Sequence, residues 1–155
     1  MSLVDAIQNP KWQEAMNEEL MAIEKNNTWQ LTDLLKGQKE IDMKCVCKIK
    51  VKANGEIDRC KARLMTKGFE KREGYDYEEI FSPVARLEIM RLIIALAAQR
   101  QLKIHQMDVK SAFLNGPLDE EVYVKQPSGF IQSGKEDKVY RLTKSLYGLK
   151  QAPRA

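Results

Sequence analysis

The sequence predicts an α+β fold, and three observations predict it. An amphipathic helix opens the chain, a β-hairpin with a sharp turn signal follows, and the later strands and helices show no regular β-α-β alternation. At 155 residues there is room for one core, or for one and a half interlocked subdomains. Hydrophobic residues are 43% and charged residues 31%, the balance of a globular rather than a disordered chain.

The first helix is expected to begin at Pro10, with Asn9 as its cap and Pro10 in the first helical position, where a missing N–H is no loss. Trp12, Met16, Leu20 and Ile23 recur on one face at helical spacing, and Asn26-Asn27 ends the element. A short strand, Thr28–Leu31, follows. Lys44–Val51 and Ile57–Thr66 both alternate about Asn54-Gly55, the strongest short hairpin signal. A two-residue turn there pairs residues whose numbers sum to 109. Ile49 then faces Cys60, Cys47 faces Ala62 and Cys45 faces Leu64 on an apolar side. Lys50 faces Arg59, Lys48 faces Lys61 and Val46 faces Arg63 on the other. Like charges directly opposite one another destabilise a hairpin, so a segment that keeps two such pairs is expected to hold phosphates. The charge distribution agrees: Lys44 to Arg72 holds ten basic and three acidic residues, while the rest of the chain nets −3. That is the footprint of a surface facing a polyanion, set against the plainer reading of a solvated hairpin.

Gly68–Tyr77 reads as a polar, glycine-punctuated loop, and Ser82-Pro83 breaks the chain again. Leu87–Gln101 is an apolar helix, too hydrophobic for a surface element and therefore expected to be buried. Lys103–Val109 is expected to be a strand running into the core and ending at Asp108. Ser111–Asn115 looks like a short helix stopped by Gly116. Val122–Lys125 and Lys138–Leu142 are short strand candidates, and Asp119-Glu120-Glu121 reads as a solvated turn. Gly148–Ala155 resembles the first turn of another helix. The longest apolar run, Leu92–Ala98, is bracketed by Arg91 and Arg100 and is too short to span a membrane. Met1–Asn9 has no basic region followed by an apolar stretch, so no secretory signal is expected. Three cysteines without such a signal point to a reducing compartment, inside the cell in cytoplasm or nucleus. Cys45, Cys47 and Cys60 lie on the predicted buried face and, with His105 distant, read as core thiols rather than a zinc site.

Asp108 carries the candidate chemistry. A carboxylate at the end of a buried strand, before a tight change of direction, is where a hard divalent cation can be held, although such an Asp alone is more often a helix cap. Its context is a series of motifs: Lys61-Ala62-Arg63-Leu64, Lys67-Gly68-Phe69, Gly74-Tyr75-Asp76-Tyr77, Phe81-Ser82-Pro83-Val84-Ala85-Arg86, Asp108 through Gly116, Gln126-Pro127-Ser128-Gly129-Phe130, and Ser145 through Arg154. In order and spacing these resemble the copia-type retrotransposon reverse transcriptase domain, over nearly the whole chain from Trp12 on.

The resemblance implies an RNA-directed DNA polymerase of right-hand fold, using Mg2+ or Mn2+ and acting on an RNA or DNA template-primer with dNTPs. Residues 1–102 would be fingers and flanking helices, and 103–155 an incomplete palm. By position, Asp108 would be the first catalytic, metal-ligating carboxylate. Phe113 would sit under the incoming sugar and exclude a ribose 2′-hydroxyl. Lys61 and Arg63 would be fingers residues touching triphosphate or template. Gly148 and Lys150, with Leu149 between them, would line the nucleotide and template side of the pocket. The family places a hairpin bearing two adjacent aspartates downstream of Ala155, and no Asp-Asp pair occurs in these residues. With one of three carboxylates the chain alone is expected to be inactive. The alternative is a non-catalytic nucleic-acid-binding module that uses the basic hairpin, residues 44–66. Cys45 stands where the family pattern has Trp, and Cys47 and Cys60 where it has aromatics, so cavities costing a few kcal/mol (~2–5) are expected beneath the hairpin.

Overall fold

A computed structural model describes residues 9–68, 85–109 and 111–155. Its first helix, α1 (Pro10–Lys25), starts and stops as its caps dictate. The Asn9 side chain accepts the Lys11 N–H at 3.0 Å, and Pro10 occupies the first helical position. At the other end Asn27 takes φ +50, its N–H donates to Glu24 O and the Thr28 N–H donates to Ile23 O. These two bonds make a Schellman cap with Asn in the left-handed position. Trp12, Ala15, Met16 and Ile23 are buried along one side.

Strand β1 (Trp29–Thr32) follows, then a two-residue strand β2 (Glu40–Ile41) that is too short to announce itself in sequence. Strands β3 (Met43–Val51) and β4 (Ile57–Thr66) form the hairpin. Met43↔Thr66 through Lys50↔Arg59 keep the expected register, including Cys45↔Leu64, Cys47↔Ala62 and Ile49↔Cys60.

The turn is not the expected two-residue one. The Gly55 N–H donates to Lys52 O at 3.0 Å and the Lys52 N–H to Glu56 O at 2.8 Å, which leaves a three-residue loop. A two-residue type I′ turn needs positive φ at both central residues, but here Gly55 (φ +85) is positive and Asn54 is not. The ladder shifts between Lys50↔Arg59 and Val51↔Ile57, so the bulge at Asp58 absorbs the extra residue.

Strand β5 (Pro117–Val124) and strand β6 (Val139–Lys144) complete a four-stranded sheet ordered β1-β6-β5-β2. Strand β6 is antiparallel to both neighbours, and β2 runs parallel to β5. Asp119-Glu120-Glu121 therefore lies within a strand rather than a turn, and Glu121 accepts the Tyr123 hydroxyl at 3.0 Å. The larger core joins Ile23, Trp29, Ile41, Leu64, Leu114, Val122, Val124, Tyr140, Leu142 and Leu146. A smaller core holds Trp12, Ala15 and Met16 of α1 against Ala62, Cys45, Cys47 and Cys60 of the hairpin.

Two further expectations are corrected. Helix α2 (Leu87–Gln99) forms, but it is not buried: Leu92 is 68% exposed, Ile93 57%, and Ala97 is its one buried residue. Residues 103–109 form no strand and are exposed throughout. A strand exists only against a partner, and neither sheet pairs with this segment. Asp108 consequently lies in an exposed irregular stretch instead of at a strand end. The loop expected at Gly68–Tyr77 lies, past Gly68, outside the described residues, as does Ser82-Pro83. Among the described residues no helix is long and apolar enough to cross a membrane.

Candidate functional site

Alternation sends every second hairpin side chain away from α1. Lys48, Lys50, Arg59 and Arg63 are exposed on that outer face and Lys61 is half-buried on it. Lys48↔Lys61 and Lys50↔Arg59 are paired as expected, so two like-charge pairs stand directly opposite. On the inner side Glu19 of α1 accepts the Leu64 N–H at 3.2 Å. Burial pushes the Glu19 carboxyl up from its ordinary value, against the opposing pull of that hydrogen bond and of Arg63 and Lys61.

The hairpin base meets the turn after β6. The Thr66 N–H donates to Tyr147 O at 2.8 Å, and its hydroxyl donates to the same oxygen at 3.4 Å. Gly148 follows with φ +93, and a Cβ there would collide with the carbonyl oxygen of Thr66 and lie 3.1 Å from its nitrogen. A Cβ on Gly68 would in turn collide with the Gly148 carbonyl. The turn thus seats backbone on backbone against the end of β4, an approach only glycine permits.

Tyr147 is the residue the sequence reading did not single out. The Arg63 guanidinium carbon lies 4.8 Å from its ring centroid, and the Phe113 ring meets it edge-on at 5.1 Å and 90°. Phe113 sits in a short 3-10 helix (Ala112–Asn115) that Ser111 enters at φ +54. The Ser145 hydroxyl donates to Phe113 O, and Leu114 is wholly buried beneath. Burial raises the Tyr147 phenol; Arg63 opposes this, and the negative charges of Glu19 and Asp108 add to it. Arg63 and Phe113 therefore meet on one aromatic ring, that of Tyr147, whose neighbour Gly148 is seated on Thr66, and Asp108 is close enough for its charge to be felt there. Lys61 projects from the neighbouring stretch of β4, and Lys150 is half-buried just past Gly148. In sequence, Tyr147 stood within the motif Ser145 through Arg154, beside a turn glycine, and nothing there marked what its ring would meet.

The described residues do not fit a two-metal centre. Among the described residues no three His, Cys, Asp or Glu side chains converge as a metal site, and Asp108 is an exposed carboxylate. The cysteines are free: Cys45 and Cys47 Sγ lie 3.9 Å apart, and burial, then the neighbouring Cys47, pushes the Cys45 thiol up to about 12. The cleft beside Cys45, lined by Met16, Glu19, Leu20, Leu64 and Phe130 among others, has a volume of about 20 Å³. That cleft lies beneath the hairpin, where the cysteines stand in place of the family's larger rings.

The sequence matches the family described as Reverse transcriptase (RNA-dependent DNA polymerase) over residues 26–155. It is 46% identical over 156 residues to the Retrovirus-related Pol polyprotein from transposon TNT 1-94 of Nicotiana tabacum, covering 99% of this chain and 12% of that protein. It is 40% identical over 153 residues to the Retrovirus-related Pol polyprotein from transposon RE2 of Arabidopsis thaliana, covering 98% of this chain and 10% of that one. A Truncated transposon Ty1-A Gag-Pol polyprotein of Saccharomyces cerevisiae is 35% identical over 150 residues, 96% of this chain and 12% of its own length. The chain thus spans about a tenth of the length of these relatives. No solved structure matches it.

Proposed function

This chain belongs to the reverse transcriptase family of copia-type retrotransposons, and from that premise we propose that it forms the nucleotide- and template-contacting front of an RNA-directed DNA polymerase. In this reading residues up to about 102 serve as fingers and the remainder as part of the palm. Lys61 and Arg63 hold triphosphate or template phosphates. Phe113 lies under the incoming sugar, and the Gly148–Lys150 turn lines the pocket wall. Asp108 is the candidate metal ligand among the described residues, and the Mg2+ or Mn2+ that would supply the two-metal chemistry needs carboxylates beyond it.

The observation that carries the reading is the meeting of Arg63 and Phe113 on the ring of Tyr147, beside the Gly148 turn at the base of a basic hairpin. These residues are distant in sequence and belong to three separate motifs. The test is fluorescence anisotropy of a labelled RNA–DNA template-primer titrated with the full chain at two salt concentrations. Salt-sensitive binding that weakens with Lys61→Ala and Arg63→Ala, and survives Asp108→Asn, is the expected result. Affinity unchanged by both basic substitutions would sink the assignment of the hairpin face.

A further inference from the structure

We infer that Tyr147 is a positioning and specificity-determining residue, holding Arg63 and Phe113 in fixed relation so that triphosphate and sugar of a nucleoside triphosphate are read together. The inference rests on the proposed nucleotide role of Arg63 and Phe113. It goes beyond that role in naming the group that ties them.

The argument is geometric. An arginine on the open face of a hairpin has several rotatable bonds and, by itself, no fixed place. Here its guanidinium lies 4.8 Å from the Tyr147 centroid, within the range of a cation–π contact. A π face engages the cation without a carboxylate's paired acceptors, so the contact does not use up the five N–H donors of the group. The second partner of the same ring is Phe113, perpendicular to it at 5.1 Å. Tyr147 cannot easily drift. Its carbonyl accepts from Thr66 N–H and hydroxyl, and the next residue is the glycine pressed onto Thr66. The phosphate-facing cation and the sugar-facing ring are thus spaced by one anchored side chain. Replacing it with a non-aromatic group frees both.

The experiment compares the full chain with Tyr147→Phe, Tyr147→Leu, Arg63→Ala and Phe113→Ala. Probes are inorganic tripolyphosphate, dUTP and UTP, the last two differing only in the 2′-hydroxyl, with binding read by isothermal titration calorimetry. Tyr147→Leu is expected to weaken tripolyphosphate binding about three- to tenfold and to bring the dUTP/UTP affinity ratio toward one. Tyr147→Phe keeps the ring and is expected to stay within about twofold of wild type. A second readout needs no ligand: the Arg63 Nε–H proton, shifted upfield by the ring in NMR spectra of wild type and Tyr147→Phe, returns to its ordinary position in Tyr147→Leu. Should Tyr147→Leu not fold, Tyr147→Met fills the same space without a π face and takes its place. Tripolyphosphate affinity and dUTP/UTP ratio both unchanged in the folded non-aromatic variant would overturn the role of Tyr147 alone. Wild-type binding that is absent, or insensitive to Arg63→Ala, would overturn the nucleotide reading and this inference with it.

Discussion

Single residues decide how the hairpin is seated. Gly148 combines φ +93 with a backbone approach to Thr66 that admits no Cβ. Gly148→Ala is therefore expected to destabilise the chain by about 2–4 kcal/mol, seen as a lowered urea midpoint. Two carboxyls give opposite pH signs. Burial raises Glu19 above its ordinary 4.5, so the stability tied to its proton is fully present below that pH and is lost as pH rises through the raised value. Glu19→Gln keeps an acceptor for the Leu64 N–H without the charge. Its urea midpoint should match wild type in acid and exceed it at neutral pH. Asp42 runs the other way: hydrogen bonds from Lys125 and Lys67 lower it from 3.8, so its contribution holds above that pH and fades as acid protonates it. Asp42→Asn should accordingly differ from wild type at neutral pH and converge with it in strong acid.

At the scale of elements, the hairpin and α2 carry the two unbalanced features. The pairs Lys48↔Lys61 and Lys50↔Arg59 repel across the outer face, a repulsion that function would use and stability would not. Lys48→Glu should stabilise the fold by about 0.3–1 kcal/mol at low salt and weaken template-primer binding, with the stability gain shrinking at 0.5 M salt, where the Debye length falls to roughly 4 Å. Helix α2 is apolar on nearly every side, and Leu87, Ile89, Met90, Leu92, Ile93 and Ile94 are all about half or more exposed. A helix of that composition is ordinarily a buried one. The chain is expected to bind a hydrophobic dye and to self-associate, measured by fluorescence and sedimentation. Leu92→Lys with Ile93→Lys should reduce both without lowering the thermal midpoint. Reduced stability in that double variant would mean that α2 is packed after all.

For the whole molecule, the decisive quantity is the number of carboxylates that can meet a metal. Asp108 is exposed, and among the described residues no group of three His, Cys, Asp or Glu side chains could hold a metal ion. The purified chain should show no Mg2+- or Mn2+-dependent primer extension above background in a radiolabelled extension assay. Extension that is lost on Asp108→Asn would contradict this directly.

What the amino-acid order determined by itself was everything local. The caps of α1, the alternation of the hairpin, its register from Met43 to Lys50 and the charge segregation onto one face all follow from neighbours within a few residues. The motif spacing was likewise enough to identify the family. Tertiary structure decided what depends on partners distant in sequence. Strand β2 exists because Ile41 finds Val124, and the segment 103–109 is no strand because nothing pairs with it. The turn gained a residue because Asn54 does not take the positive φ that a two-residue loop demands. Tyr147 became the centre of the candidate site because a residue 84 positions earlier and another 34 positions earlier converge on its ring. Periodicity reports which face of an element is apolar; only packing determines what that face meets.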